Sequence, residues 1–313
     1  MTSEPSTASP SRRGRRADLL SPEHLAGLGD LDFLARKLVE GFLLGLHRSP
    51  HRGFSAEFAE LRGYQPGDDL RYIDWRMYAR SDRFYVKQFE EETNLRAYLL
   101  LDGSGSMGWS SSPGRLPTKL WYGKLLAAAL AHILLRQGDA VGLATFDERI
   151  RTHLPPRGGD RQQRELLARL NGVEPQGETH PGDPLREIAT RLTRRGMVVV
   201  ISDLLTDPEP ARRALQYMRH RGHQVLVLHL FDPGERDLDA GGREVRYYDP
   251  ETGEELDVVP GDLRRAYREA VDGAMNEWRR TLAPHGVDYQ VVDTGAPFVG
   301  ALRHALGKRA RLS

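Results

Sequence analysis

Hydrophobic positions along this chain form two alternating patterns, which are long helical stretches and short continuous apolar runs. The short runs are rich in Val, Ile and Leu, and such runs are typical of strands that are buried on both faces. Their alternation with helices predicts a mostly parallel sheet that is covered by helices on both sides. The predicted strands span residues 97–101, 140–146, 197–201, 225–230 and 287–292.

Helices are predicted between these strands, and glycine follows each of them. The helical patterns cover residues 119–137, 184–195, 211–221 and 267–282, and the glycines are Gly138, Gly196, Gly222 and Gly286. Glycine ends helices because it adopts the left-handed conformation at little cost. The sequence therefore predicts an α/β fold with a Rossmann-like, doubly wound sheet.

Two segments interrupt this pattern and suggest a domain organisation. Residues 1–29 are predicted to be a disordered tail, and residues 30–95 an N-terminal extension whose one clear helix is Leu31–Leu46. The main α/β domain is predicted to cover residues 96–308. It carries an insertion at residues 232–266, where two short alternating runs flank a turn and predict a β-hairpin.

Composition narrows the possible functions of the 313 residues. The formal net charge is +1, which gives no general reason to expect nucleic-acid binding. The sequence has no cysteine, so disulfides and thiolate metal sites are excluded. No apolar run approaches the roughly 18 residues that cross a membrane, and no signal-peptide pattern is present. We therefore expect a cytoplasmic protein without a membrane partner.

Candidate metal ligands leave the end of the first predicted core strand. Asp102, Ser104 and Ser106 alternate with Gly103 and Gly105, which we expect to bend the loop sharply. A carboxylate and two hydroxyls at alternate positions suit a hard divalent cation such as Mg²⁺ or Mn²⁺.

The same segment also matches a dinucleotide-binding fingerprint, because residues 103–108 read G-x-G-x-x-G after a strand. That fingerprint needs its last glycine to open a helix, whereas Gly108 is followed by the loop-like residues 109–114. Residues 125–130, where the fingerprint expects an acidic residue, are wholly apolar. A metal site is therefore the better prediction.

Two later segments can complete such a site. Asp203 follows the strand predicted at residues 197–201, so a second carboxylate leaves the sheet at the carboxyl end of a strand, where ligands bind in open α/β sheets. Thr179 lies in the breaker-rich loop 177–182 and can supply a third hydroxyl, although on spacing alone a helix-entry role fits nearly as well. His180 beside it reads as an exposed loop residue.

Taken together, these residues resemble the von Willebrand factor A fold and its metal-ion-dependent adhesion site. That site has an Asp-x-Ser-x-Ser after the first strand, a Thr in a mid-chain loop and an Asp after the fourth strand. The five positions are filled in order by Asp102, Ser104, Ser106, Thr179 and Asp203. The resemblance extends from about Arg96 to Leu306, and it implies a site for Mg²⁺ or Mn²⁺ that can also be empty.

An upstream segment is similar to a second, narrower family signature. Residues 61–76 read LRGYQPGDDLRYIDWR, and this run resembles the signature of domain-of-unknown-function family fifty-eight. Residues 79–80, 86–92 and 251–254 look like other parts of that family. The resemblance implies a cytoplasmic partner of a MoxR-type AAA+ ATPase in chaperone-like maturation or assembly of complexes. From the residues alone, an ion-pair network that braces the extension is the simpler role.

Three functional hypotheses follow from these features. The first is a non-enzymatic module that binds an acidic residue of a partner, either the MoxR-type ATPase or its client, through the metal. The second is a metal-dependent hydrolase of phosphate esters, which needs a general base or a second metal. The third is a metal-free scaffold, against which the intact set of five ligands argues. The chain has no Walker loop, no cysteine nucleophile and no serine elbow, so we expect no intrinsic catalysis.

Overall fold

The structure is a computed structural model of the full chain. It describes residues 22–25, 30–46, 61–64, 78, 84–87, 95–177, 182–237, 245–248, 255–258 and 260–309. Most of the predicted tail at 1–29, most of the family signature at 61–76 and the run at 251–254 lie outside these residues; of the tail, only residues 22–25 are described. Thr179 and His180 lie outside them as well.

A six-stranded sheet forms the centre of the described part of the chain. Its strands in chain order are β3 (Arg96–Asp102), β4 (Ala140–Phe146), β5 (Ile150–Arg157), β6 (Met197–Ser202), β7 (Gln224–Phe231) and β10 (Asp288–Asp293). The spatial order is β10-β7-β6-β3-β4-β5, and every neighbouring pair is parallel except β4 with β5. The predicted doubly wound, mostly parallel α/β fold is therefore confirmed.

Alternate residues of the central strands face two separate cores. Leu99, Leu101 and Val199 face one core, whereas Leu100 and Val200 face the other. Helices cover both faces, so the strands are buried throughout, as their continuous apolar runs predict.

Nine helices flank the strands in the described residues. They are α1 (Pro22–Leu25), α2 (Leu31–Leu46), α3 (Lys119–Arg136), α4 (Asp160–Asn171), α5 (Gly182–Arg191), α6 (Pro208–His220), α7 (Pro233–Asp237), α8 (Pro260–Leu282) and α9 (Val299–Arg309). Helix α2 has the predicted bounds, and its residues Leu34, Leu38 and Phe42 are buried in the same core as α3.

Three of the four predicted glycine helix ends have the expected backbone. Gly138, Gly222 and Gly286 have φ values of 82°, 86° and 68°, in the left-handed region. The prediction for Gly196 is wrong, because α5 ends earlier, at Arg191. Gly196 instead lies against β3, where an added Cβ would come within 2.2 Å of the Arg96 carbonyl oxygen. This glycine is required by close backbone approach and not by the end of a helix.

Two small two-stranded sheets complete the described elements. The predicted hairpin is present as β8 (Val245–Tyr248) paired antiparallel with β9 (Glu255–Val258). In the N-terminal segment, β1 (Leu61–Gly63) pairs antiparallel with β2 (Tyr85–Lys87). Among the described residues, no helix is both long enough and apolar enough to span a bilayer.

Candidate metal site at the carboxyl edge of the sheet

The candidate site lies at the point where the strand order of the sheet reverses. After β3 the chain continues to β4 on one side, and it later returns to form β6 on the other side. Leu101 pairs with Ile201 in the parallel register, so Asp102 and Asp203 leave neighbouring strands at the same edge. Crevices at such reversal points are the usual ligand sites of open α/β sheets.

Asp102 is held rigidly in this crevice. Its side chain is fully buried, Oδ1 accepts the backbone N–H of Ser104 at 3.0 Å, and Oδ2 accepts the hydroxyl of Ser202 at 2.5 Å. Burial, and then the negative charge of nearby Asp203, raise the pKa of Asp102 to about 7. A cation beside Asp102 would remove this penalty on its charged form.

The two predicted serine ligands meet beside Asp102. Ser104 Oγ and Ser106 Oγ are 3.2 Å apart, and both residues are buried. Two oxygens that occupy adjacent corners of an octahedron around Mg²⁺, each about 2.1 Å from the metal, would be about 3.0 Å apart. The spacing of the two hydroxyls therefore fits a small divalent cation.

Asp203 supplies the second carboxylate, and its backbone surroundings are unusual. The next residue, Leu204, has φ of 52°, which is a left-handed conformation that Leu rarely adopts. The N–H of Leu204 donates to Ser202 Oγ at 3.0 Å, and the N–H of Leu205 donates to Asp203 Oδ1 at 3.3 Å. Backbone strain of this kind is concentrated at functional sites, where surrounding contacts maintain it.

Lys119, which the sequence analysis did not identify, also contributes to the site. Its ammonium Nζ is 2.7 Å from Asp203 Oδ2, and it also pairs with Glu235 Oε1. Burial opposes the charge on Asp203, but the ammonium, together with a hydrogen bond from Ser106, outweighs that effect and lowers the pKa of Asp203. Asp203 is therefore ionised beside an internal cation.

One sequence signal could have identified Lys119. The chain has only five lysines among its 45 basic residues, and this one opens a mostly apolar, largely buried helix. Glu235 lies in the insertion and gave no comparable signal. Ser202 stands next to Asp203 in the sequence, but nothing in the sequence indicated that its hydroxyl donates to Asp102.

Glycines allow a second loop to pack against the serine loop. An added Cβ on Gly108 would lie 2.9 Å from Pro175, and one on Gly103 would lie 3.2 Å from Val173. Gly103 and Gly105 do not have positive φ, so a left-handed backbone is not what requires glycine at these two positions. Gly103 permits close approach of the two loops, and the N–H of Gly105 donates to the Gly177 carbonyl at 2.9 Å.

This arrangement also rules out the dinucleotide interpretation. Gly105–Gly108 form one short 3₁₀ turn, and the next helix begins only at Lys119. No helix N-terminus therefore follows the glycine-rich segment directly, as pyrophosphate binding would require.

The described residues bring together four of the five predicted ligands, namely Asp102, Ser104, Ser106 and Asp203. Thr179 lies outside the described residues, between Gly177 and Gly182. Within the described part, no three or more His, Asp or Glu side chains form a metal-binding cluster. The candidate site therefore depends on hydroxyl ligands as well as carboxylates.

The fold and the strand-end residues define a von Willebrand factor A-like α/β domain with a candidate adhesion-type metal site. The family model described as "Protein of unknown function DUF58" matches residues 60–277, and the chain belongs to this family.

The chain is similar in sequence to one relative over nearly its whole length and to another over a shorter part. The uncharacterized protein Rv1480 of Mycobacterium tuberculosis is 28% identical over 302 residues, which cover 95% of this chain and 93% of that protein. The uncharacterized protein YeaD of Bacillus subtilis is 27% identical over 120 residues, which cover 38% of this chain and 27% of YeaD.

Solved structures with similar folds include two proteins of low sequence identity. BatB from Bacteroides thetaiotaomicron has a TM-score of 0.48 and 21% identity, and the match covers 69% of this chain and 99% of BatB. The SpRpn10 VWA domain has a TM-score of 0.39 and 12% identity, and the match covers 67% of this chain and 94% of that domain.

Proposed function

We propose that this chain is a non-enzymatic protein-interaction module that binds an acidic residue of a partner through Mg²⁺ or Mn²⁺. The convergence of Asp102, Ser104, Ser106 and Asp203 at the reversal point of the sheet carries the proposal. Thr179 is the expected fifth ligand. When bound, the cation would supply a positive centre that a partner's carboxylate can join.

The chemistry of the ligands favours binding over hydrolysis. The four described ligands and Thr179 would fill five of the six positions around an octahedral cation, so one position is left for a partner's carboxylate. His229 lines the groove next to Asp203, but its ring is buried, and Nδ1 lies 2.5 Å from Tyr289 Oη. Burial lowers the pKa of His229 to about 4, which makes it a poor general base near neutral pH.

An apolar groove beside the site supports an interaction surface. A cavity of about 150 Å³ extends from Asp203 along α8, and its lining includes Leu205, Tyr267, Met275 and Trp278. Leu205 is 55% exposed although it is a large apolar residue directly after the site. A partner that places a carboxylate on the metal could fill this groove with a neighbouring apolar side chain.

The proposed partner is a MoxR-type AAA+ ATPase, its client, or both, in chaperone-like maturation or assembly of complexes. Membership of the DUF58 family supports this choice through the resemblance described above. We also propose that the protein works in the cytoplasm and does not hydrolyse ATP itself.

Metal-dependent binding is tested with the double variant Ser104→Ala with Ser106→Ala. Titration calorimetry with Mn²⁺ should show binding by the wild type and its loss in the double variant, because two ligands are removed. The matched control is Ser110→Ala with Ser112→Ala, which removes two hydroxyls from the loop that follows and should keep Mn²⁺ binding. Circular dichroism should show that all three proteins are folded.

Partner binding is tested with the purified MoxR-type ATPase of the same organism in Mg²⁺ and in EDTA. The proposal expects capture by the wild type and the control variant only when Mg²⁺ is present. Equal capture by all proteins in both buffers would refute the metal-mediated mechanism. Metal-dependent turnover of a phosphate ester that disappears in Asp102→Ala would instead favour the hydrolase.

A further inference from the structure

Lys119 places a buried ammonium group at the candidate metal site. It is the first residue of α3, directly after the N-cap Thr118, whose Oγ1 accepts the N–H of Trp121 at 3.1 Å. The side chain is only 1% exposed, and Nζ lies 6.0 Å from the centre of the Trp109 ring. The ammonium is therefore enclosed by protein and is directed at the carboxylates.

This position is an unfavourable one for a lysine. The N-terminus of a helix carries partial positive charge, so a cation there is repelled, and burial adds the cost of removing water from the ammonium. Among the described residues, the carboxylates of Asp203 and Glu235 offset these costs, and the Trp109 ring lies over the ammonium. The lysine is therefore explained by the site and not by the stability of the helix.

Glu235 is positioned to hold the ammonium independently of Asp203. Its Oε2 accepts the backbone N–H of Asp232 at 3.0 Å, while Oε1 pairs with Lys119. Asp232 in turn is buried and accepts the N–H groups of Ser111 and Gly234. Glu235 is thus fixed by the α7 turn and does not depend on the metal ligands.

A metal bound at the proposed site would therefore compete with the Lys119 ammonium for the Asp203 carboxylate. We propose that Lys119 is a built-in competitor of the metal: its ammonium pairs with Asp203 in the metal-free protein and shifts fully onto Glu235 when a divalent cation binds. This inference rests on the proposed metal-dependent function. The competition makes metal binding weaker and more easily reversed, because each binding event must break the Lys119–Asp203 pair.

The competition is tested by Mn²⁺ calorimetry on the full chain with Lys119→Met and Glu235→Gln. Removing the ammonium should tighten binding by about tenfold or more, because the competing pair is gone. Removing the charge of Glu235 should weaken binding, because Lys119 then has only Asp203 as its partner. The matched control is Lys124→Met on the same helix, whose ammonium contacts the Asn171 carbonyl at 3.3 Å and should leave the affinity unchanged.

A crystal structure with Mn²⁺ shows whether the metal displaces the Lys119 ammonium from Asp203 or whether the ammonium only repels the metal by its charge. The inference expects the ammonium of the wild type on Glu235 and beyond hydrogen-bond distance of Asp203. An ammonium that stays on Asp203 beside bound Mn²⁺ would overturn it, even if Lys119→Met binds more tightly.

Failure of this inference can be separated from failure of the proposed function. Wild type that binds Mn²⁺ with the same or higher affinity than Lys119→Met would overturn the inference and leave the metal-dependent function standing. Absence of binding in every variant would overturn both. If Lys119→Met does not fold, the double variant with Glu235→Gln removes both buried charges of that pair and should still bind Mn²⁺ more tightly than Glu235→Gln alone.

Discussion

The variant Asp102→Asn measures the electrostatic cost of burying the Asp102 carboxylate in the metal-free protein. Asparagine has the shape of aspartate, can accept the Ser104 N–H through its oxygen and can donate to the hydroxyl oxygen of Ser202. The substitution therefore keeps the hydrogen bond from Ser104, reverses the direction of the one with Ser202 and removes the buried charge. We expect it to stabilise the metal-free fold at alkaline pH.

The size of the effect follows from the pKa of Asp102. Its value rises from the ordinary 3.8 to about 7 in the folded protein, so between these two pH values the unfolded chain has released a proton that the folded chain retains. Because the unfolded state then binds fewer protons, the stability of the wild type falls as the pH rises through this window. The loss between pH 5 and pH 8 is about 2–3 kcal/mol, because each pKa unit corresponds to about 1.4 kcal/mol.

The assay is urea unfolding in EDTA at about pH 5 and about pH 8, analysed for the free energy of unfolding. The advantage of Asp102→Asn over wild type should grow by about 2–3 kcal/mol between these conditions. Asp272→Asn removes a charge from the exposed pair with Arg236, so its difference from wild type should stay below about 1 kcal/mol at both pH values. Saturating Mn²⁺ should stabilise the wild type and the control but not Asp102→Asn.

A constant difference between Asp102→Asn and wild type across the pH range would refute this reasoning. It would mean that Asp102 has the same pKa in the folded and unfolded states, and hence that its burial beside Asp203 has no electrostatic cost. A variant that becomes less stable as the pH rises, relative to wild type, would refute it as well.

Two further predictions concern packing. Gly108→Ala should destabilise the fold by about 1–3 kcal/mol and weaken Mn²⁺ binding, because the added Cβ would lie 2.9 Å from Pro175. The control Gly273→Ala lies in α8 with open space around it, so it should be neutral or stabilising. If α2 unfolds together with the sheet, Phe42→Ala should lower the free energy of unfolding by about 3–5 kcal/mol and keep a single urea transition. The control Phe33→Ala should lower it by less than about 0.5 kcal/mol, because Phe33 is 50% exposed. A separate early transition in Phe42→Ala would show that α2 unfolds independently.

The strands and helices that position the site were predictable from the sequence alone. Continuous apolar runs indicate strands that are covered on both faces, and Asp102 and Asp203 necessarily leave such strands at their carboxyl ends. The chain itself fixes which residue follows a strand, so the candidate metal ligands at the strand ends were visible without a structure. The β5 strand was missed because it alternates and contains Pro155 and Pro156, which edge strands tolerate and central strands do not.

The charges that meet at the site were decided only by the tertiary structure. Lys119 and Glu235 are 116 positions apart, and no pattern of spacing relates a lysine at a helix start to a glutamate in an insertion. Their pairing follows from the order of the strands, which brings the start of α3, the end of β6 and the α7 turn to one edge of the sheet. The sequence by itself determined which oxygens are available to a metal. The fold decided which internal cation lies next to them, because electrostatic partners are set by distance in space and not by separation along the chain.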